Sequence, residues 1–145
     1  MQKIRIVAVG KLKEDFWKDA VAEYLKRLSR FADVEIKELP EKHTLEEEAK
    51  EILAVCRGYV VALAVEGKKL SSEGFASFLK KKADEGAELT FVIGSSCGLS
   101  PAVKQAADFL LSFSDFTFPH QLMRVILCEQ TYRAFMINSG SVYHK

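Results

Sequence analysis

The sequence predicts a three-layer α/β domain, a parallel sheet with helices on both faces, and three observations predict it. Short apolar runs rich in β-branched residues recur along the chain, stretches of helical period lie between them, and glycine, proline and serine punctuate the joins. Strand and helix alternate five times. Parallel strands need a crossover, so the economical solution is a parallel sheet covered on both sides.

Residues 4–9, 34–39, 59–65 and 89–93 are short, apolar or alternating, as strands are, and 113–118 is a weaker fifth. Between the first two, Phe16, Trp17, Ala20, Val21, Tyr24, Leu25, Leu28 and Phe31 recur at spacings of three and four, which makes one apolar helix face. The second helix opens at Thr44 with Glu47 three residues on, the pattern of a capping box, and ends near Arg57-Gly58. The third runs from about Ser72 to Glu85 and is closed by Gly86. The fourth takes Ser100 as N-cap and Pro101 at its first position, where no amide donor is needed. The fifth opens at Pro119 and carries Leu122, Met123, Ile126, Leu127, Ala134 and Phe135 on its apolar side.

The length of 145 residues suits one domain, 1–145, and 48% hydrophobic with 28% charged residues is a globular balance rather than a disordered one. Charges interrupt the apolar opening, so it does not read as a secretory signal. The longest charge-free run, Leu89 to Val103, is broken by Gly94, Gly98 and Pro101, which argues against a membrane span. Three cysteines, Cys56, Cys97 and Cys128, form no CxxC pair, and His43, His120 and His144 have no zinc-like spacing. A cytoplasmic protein without a structural metal is expected. A net charge of +1 does not by itself point to nucleic acid. The charge-dense connection 38–51 holds six glutamates and is expected to be a solvated helix end; Lys80-Lys81-Lys82 is expected to be a wet helix face.

Four places have the residue types that carry chemistry. Ile93-Gly94-Ser95-Ser96-Cys97-Gly98-Leu99-Ser100-Pro101 follows a buried strand and precedes a helix, where open α/β sheets bind ligands; it is either a ligand loop or a plain tight turn. It matches neither GxGxxG nor GxxxxGK[ST], which leaves a nucleotide-binding reading weak. Ser112 to Gln121 is a second such mouth, in which His120 either serves the site or merely stands at a helix start. Glu129 and Arg133 lie four apart with Tyr132 between them, as a surface ion pair would. The tail Tyr143-His144-Lys145 is an expendable end or a substrate contact.

Together, the segments Phe-Val-Ile-Gly-Ser-Ser-Cys-Gly-Leu-Ser-Pro (91–101), Phe-Pro-His-Gln-Leu-Met-Arg-Val (118–125), Glu-Gln-Thr-Tyr-Arg-Ala-Phe (129–135) and the terminal Tyr-His-Lys resemble the bacterial large-subunit ribosomal RNA methyltransferase H family. That family belongs to the trefoil-knotted SPOUT methyltransferases. The opening Ile-Val-Ala-Val-Gly-Lys-Leu and the central Val-Ala-Leu-Ala-Val-Glu-Gly-Lys extend the likeness over essentially the whole chain. The resemblance implies a C-terminal trefoil knot, a homodimer, S-adenosyl-L-methionine as cofactor, and methylation of N3 of a pseudouridine in 23S rRNA within the ribosome. It nominates Leu63, Gly94, Ser95, Gly98, Ser114, Asp115, Phe116, Thr117, Phe118 and Pro119 for the cofactor. For the reaction it nominates Glu129 and His144 as proton acceptors, with Arg133 and Tyr143 orienting the RNA. Ser95 departs from the family, which has glycine there, and its side chain is expected to crowd the adenosine. A fold that has kept ribosome binding but lost the cofactor is the competing reading. Met123, Leu127, Cys128, Ala134 and Met136 on the last helix exceed what one buried face needs, which places a dimer contact there.

Overall fold

In the computed structural model, residues 1–143 are described; His144 and Lys145, and with them the role expected of His144, lie outside the described residues. Five parallel strands, β1 (Gln2–Val9), β2 (Ala32–Leu39), β3 (Tyr59–Lys69), β4 (Leu89–Ile93) and β5 (Phe109–Ser112), stand in the order β2-β1-β4-β3-β5. The helices between and after them are α1 (Asp15–Leu28), α2 (Leu45–Val55), α3 (Ser72–Asp84), α4 (Pro101–Ala106) and α5 (His120–Asn138).

Alternation along the strands sorts the core into two layers. Ile4, Ile6, Ala8, Val61, Leu63, Phe91 and Ile93 face α1, α3 and α5, meeting Val21, Phe75, Ala76, Leu79, Leu127, Cys128 and Ala134. Val7, Val9, Ala62 and Val92 face the other way, against Ala49 and Ile52 of α2 and Val103 of α4. Both faces of the central strands are therefore dry, and β4 is buried along its whole length. The one polar residue in it, Thr90, is fully satisfied: its hydroxyl donates to the Arg57 carbonyl at 2.6 Å and accepts from the Arg57 amide at 2.9 Å.

The caps follow the sequence. Ser71 Oγ and Ser100 Oγ accept from the Gly74 and Val103 amides, and Pro101 opens α4. At α2, Thr44 Oγ1 accepts from the Glu47 amide at 3.1 Å, but the carboxylate that reaches back is Glu48, which accepts from the Lys42 amide at 3.0 Å.

Several expectations are corrected. The fifth strand is Phe109–Ser112, not 113–118. Asp108 sets its start, its amide donating to the Val60 carbonyl and its carboxylate accepting from the Val60 amide, each at 2.8 Å. Serine side chains then pull the backbone off the ladder: Ser112 Oγ donates to the Ser114 carbonyl and Ser114 Oγ accepts from the Phe116 amide, both at 3.0 Å. On α1 the buried positions are Val21 and Leu28, whereas Phe16 is exposed at the first turn and Phe31 lies beyond the helix, stacked on Phe135. Leu127, Cys128 and Ala134 are consumed by the chain's own core and carry no excess for a dimer contact. Lys82 is not a wet side chain; its ammonium stands 3.8 Å over the Tyr59 ring. The 38–51 segment is not wholly solvated, since Glu48 is buried and Glu38 pairs with the buried Arg124. Among the described residues no helix is long and apolar enough to cross a membrane, and no group of His, Cys, Asp and Glu is placed to hold a metal.

Thr90 offers a test of how this core is tied. Thr90→Val keeps the shape but leaves the Arg57 amide and carbonyl without their partner, so urea denaturation should report a loss of about 1–3 kcal/mol. An unchanged midpoint would mean that water replaces both bonds.

Candidate active site

The carboxyl ends of the parallel strands open onto a cleft of about 540 Å³. Three chain segments wall it: Leu63 to Glu66 of β3; Ile93 to Ser96 with Gly98 and Leu99 at and after β4; and Leu111 to Ser114, Phe116 to His120 and Met123 from β5 into α5, with Lys104 of α4 beside them. β3 makes room by a break in register. Leu63 and Lys68 both pair with Leu111, so residues 64–67 arch out over the cleft. Glu66 on this arch accepts from Lys104 Nζ of α4 at 2.7 Å, an ion pair at the cleft wall that holds the Glu66 carboxyl below its ordinary range.

The loop after β4 is held tightly on itself. The Gly98 amide donates to the Ser95 carbonyl at 2.8 Å and the two residues form an antiparallel bridge. A Cβ on Gly94 would stand 2.5 Å from the Gly98 carbonyl oxygen, and Gly98 has φ +84°, so both positions need glycine. The backbone of the loop is thereby presented to the cleft with little side chain in front of it. The Ser95 hydroxyl donates to Glu48 Oε1 at 3.2 Å and accepts from the Cys97 amide at 3.3 Å, and the residue is only 8% exposed.

Of the ten residues nominated for the cofactor, Leu63, Gly94, Ser95, Gly98, Ser114, Phe116, Thr117, Phe118 and Pro119 all line this one cleft. Asp115 lies on the same loop outside the wall, paired with Lys69 at 2.5 Å. Sequence reasoning missed the arch 64–67 and Lys104, because nothing in the apolar run of β3 signals its break. It also missed Arg124, which is 1% exposed on the side of α5 read as apolar. The Arg124 guanidinium pairs with Glu38 at the end of β2 and donates to the Gly10 carbonyl at 3.1 Å after β1. It ties the first turns of α5 to two strand ends beside the cleft.

Glu129, Arg133 and Tyr143 form a second group, further along α5 and outside the cleft wall. Arg133 Nε and Nη2 donate to Glu129 Oε2 at 3.0 and 2.7 Å, and the Tyr143 hydroxyl donates to the same oxygen at 3.2 Å. The Arg133 guanidinium lies 5.0 Å over the Tyr143 ring, which meets Tyr132 edge-on at 4.9 Å. The ion pair is not the solvated one expected of surface residues, as both side chains are largely covered. Tyr143 is docked on α5 rather than frayed.

The Tyr143 phenol is pushed up to about 12, first by burial, then by the neighbouring Tyr24 hydroxyl and Glu129 carboxylate. With the folded value above the ordinary one, stability tied to the neutral phenol is intact below pH 10 and lost as pH rises toward 12. In an absorbance titration of the four tyrosines, a step near 12 should be present and should vanish in Tyr143→Phe. A step that survives the substitution would contradict the docked tail.

Comparison with known proteins fits this geometry. The profile of the family described as "Predicted SPOUT methyltransferase" matches residues 2–144. Ribosomal RNA large subunit methyltransferase H of Streptococcus thermophilus is 50% identical over 99% of each chain. The protein of the same name from Levilactobacillus brevis is 51% identical over 98% of this chain and 99% of its own. Among solved structures, a putative methylase family protein from Neisseria gonorrhoeae superposes with a TM-score of 0.56 at 12% identity, covering 99% of this chain and 87% of that one. At that identity the likeness concerns the fold alone. With the family profile spanning nearly every residue and half the residues shared with full-length relatives, the chain belongs to the SPOUT methyltransferases.

Proposed function

We propose that the chain is an S-adenosyl-L-methionine-dependent methyltransferase acting on N3 of a pseudouridine in 23S rRNA within the assembled ribosome. The observation that carries this reading is the single cleft assembled from three separate chain segments at the carboxyl ends of the sheet, nine of whose wall residues are those nominated by sequence. Its volume lies in the range of small-molecule sites. The glycine-dependent loop at 94–98 brings its backbone to the cleft wall, and the hydroxyl of Ser95 is engaged with Glu48. S-adenosyl-L-methionine supplies an electrophilic methyl group when bound. Leu63, Gly94, Ser95, Gly98, Ser114, Phe116, Thr117, Phe118 and Pro119 would hold it, with Asp115 steadying the loop through Lys69.

The protein's own share is alignment and removal of the N3 proton. Holding two reactants at near-attack distance is worth about 7–11 kcal/mol, and a base adds on the order of 10²- to 10⁴-fold. Glu129 Oε2 accepts from three donors and Oε1 accepts from the Gln130 amide at 2.7 Å, so its lone pairs are occupied in fixing Arg133 and Tyr143. That favours His144 as the proton acceptor and Arg133 and Tyr143 as the groups that receive RNA. Because this cluster stands outside the cleft of its own chain, a homodimer in which the tail serves the partner's cleft completes the site. The C-terminal trefoil knot belongs to the same reading, supported by the non-sequential strand order and the SPOUT family. A net charge of +1 suits recognition of a preassembled ribosomal surface better than of free RNA.

Methyl transfer to ribosomes from a strain lacking this gene tests the reading. Labelled methyl groups should appear in 23S rRNA of assembled ribosomes and much less in naked rRNA. A variant ending at Val142 should stay folded and bind cofactor like the parent, with a lower melting temperature from the lost Tyr143 contacts, while losing transfer by at least 10²-fold, the share of a base. Stoichiometric ribosome binding without any cofactor binding at millimolar concentration would instead favour a non-enzymatic module. Full transfer by the shortened variant would remove the tail from the site.

A further inference from the structure

We infer that Glu48, a residue of α2 that does not line the cleft, is the positioning residue for the cofactor loop and sets its affinity through the hydroxyl of Ser95. The inference rests on the proposed use of the cleft.

Glu48 stands among the glutamates 46–48 at the start of α2, and of these it alone is buried, at 5% exposure. A carboxylate is rarely taken out of water without a structural return. Here each oxygen has one partner: Oε2 accepts from the Lys42 amide at 3.0 Å, and Oε1 accepts from Ser95 Oγ at 3.2 Å. With its proton committed to Glu48, the Ser95 oxygen presents lone pairs to the Cys97 amide, which donates to it at 3.3 Å. The backbone of the same serine accepts from the Gly98 amide at 2.8 Å. Ser95 therefore holds two amides of the 94–98 turn, and Glu48 holds Ser95. The chain of bonds runs from the loop before α2, through a buried carboxylate, to backbone that lines the cleft.

One feature separates this from ordinary core satisfaction: Glu48 and Ser95 are 47 residues apart, so the contact ties the start of α2 to the turn after β4 that lines the cleft.

Calorimetric titration with S-adenosyl-L-methionine on Glu48→Gln, Glu48→Ala, Ser95→Ala and the double alanine variant tests the inference, together with NMR amide exchange of the cofactor-free proteins. Glu48→Ala and Ser95→Ala should each weaken binding about tenfold, and the double variant no further, because both remove one path. Glu48→Gln should fall between, since its amide oxygen still accepts from Ser95 while its NH₂ faces the Lys42 amide. At saturating cofactor the kcat of the Glu48 variants should stay within about threefold of the parent, the loss being one of binding. Exchange of the Cys97 amide should accelerate about tenfold, with Val92 in β4 unchanged. Parental affinity in a folded Glu48 variant, or losses that add in the double variant, would overturn the inference; if Glu48→Ala does not fold, Glu48→Gln decides. A parent protein that binds no cofactor would overturn the methyltransferase reading. Unchanged Cys97 exchange in a folded Glu48 variant would overturn the anchoring itself, whether or not cofactor binds.

Discussion

Strand β4 leaves the centre of the sheet at Ile93 with β1 on one side and β3 on the other, and it has to reverse within residues 94–98 before Ser100 caps α4. The reversal brings Gly94 so close to the Gly98 carbonyl that no side chain fits between them. The rest of the site depends on this turn. Because it hugs its own backbone, the cleft beside it stays open, and the arch of β3 and the loop after β5 can close around the same space. A looser exit would fill the cleft with loop and separate the other two walls.

Much of this was legible in the sequence, for identifiable reasons. Helix starts were readable because capping is local chemistry: Thr44 and Ser100 accept from amides three residues on. Strands β1, β3 and β4 were readable because residues buried on both faces leave apolar runs, and the edge strand β2 because Val34 and Ile36 alternate with Asp33, Glu35 and Lys37. The fifth strand was misplaced because Phe113, Phe116 and Phe118 imitate strand alternation, while the serines among them bind the backbone locally and divert it. Arg124 was invisible because a charged residue in an apolar stripe gives no sign that a strand-end glutamate and a carbonyl await it. Glu48 was hidden among glutamates of identical local appearance, and only the fold distinguishes the one that faces Ser95.

The two groups nominated for chemistry relate to each other differently than their closeness in sequence suggests. His120 borders the cleft at the start of α5, whereas Glu129 and Arg133 lie about two and a half and about three and a half turns along the same helix. Tyr143 folds back onto the latter pair and packs on the face of α5 already held by Tyr132 and Arg133. A cofactor cleft at one end of α5 and an aromatic, arginine-bearing cluster toward the other is an arrangement that one subunit does not bring into contact with itself. The assembly of two copies in the proposed enzyme answers that geometric problem, and the shortage of net positive charge answers a related one. In the proposed enzyme, positioning on RNA would be left to a few stacked and hydrogen-bonded groups rather than to a broad basic surface.

The central claim is that the cleft at the carboxyl ends of the strands receives S-adenosyl-L-methionine. The most direct test is an amide chemical-shift titration of the full-length protein with that cofactor. Saturable shifts should concentrate at 63–66, 94–99 and 112–119, with little change at Lys3, Arg57 and Glu88, which line a separate hollow that includes the amino ends of the strands. Saturable shifts centred on that opposite hollow, or none at millimolar cofactor, would contradict the account.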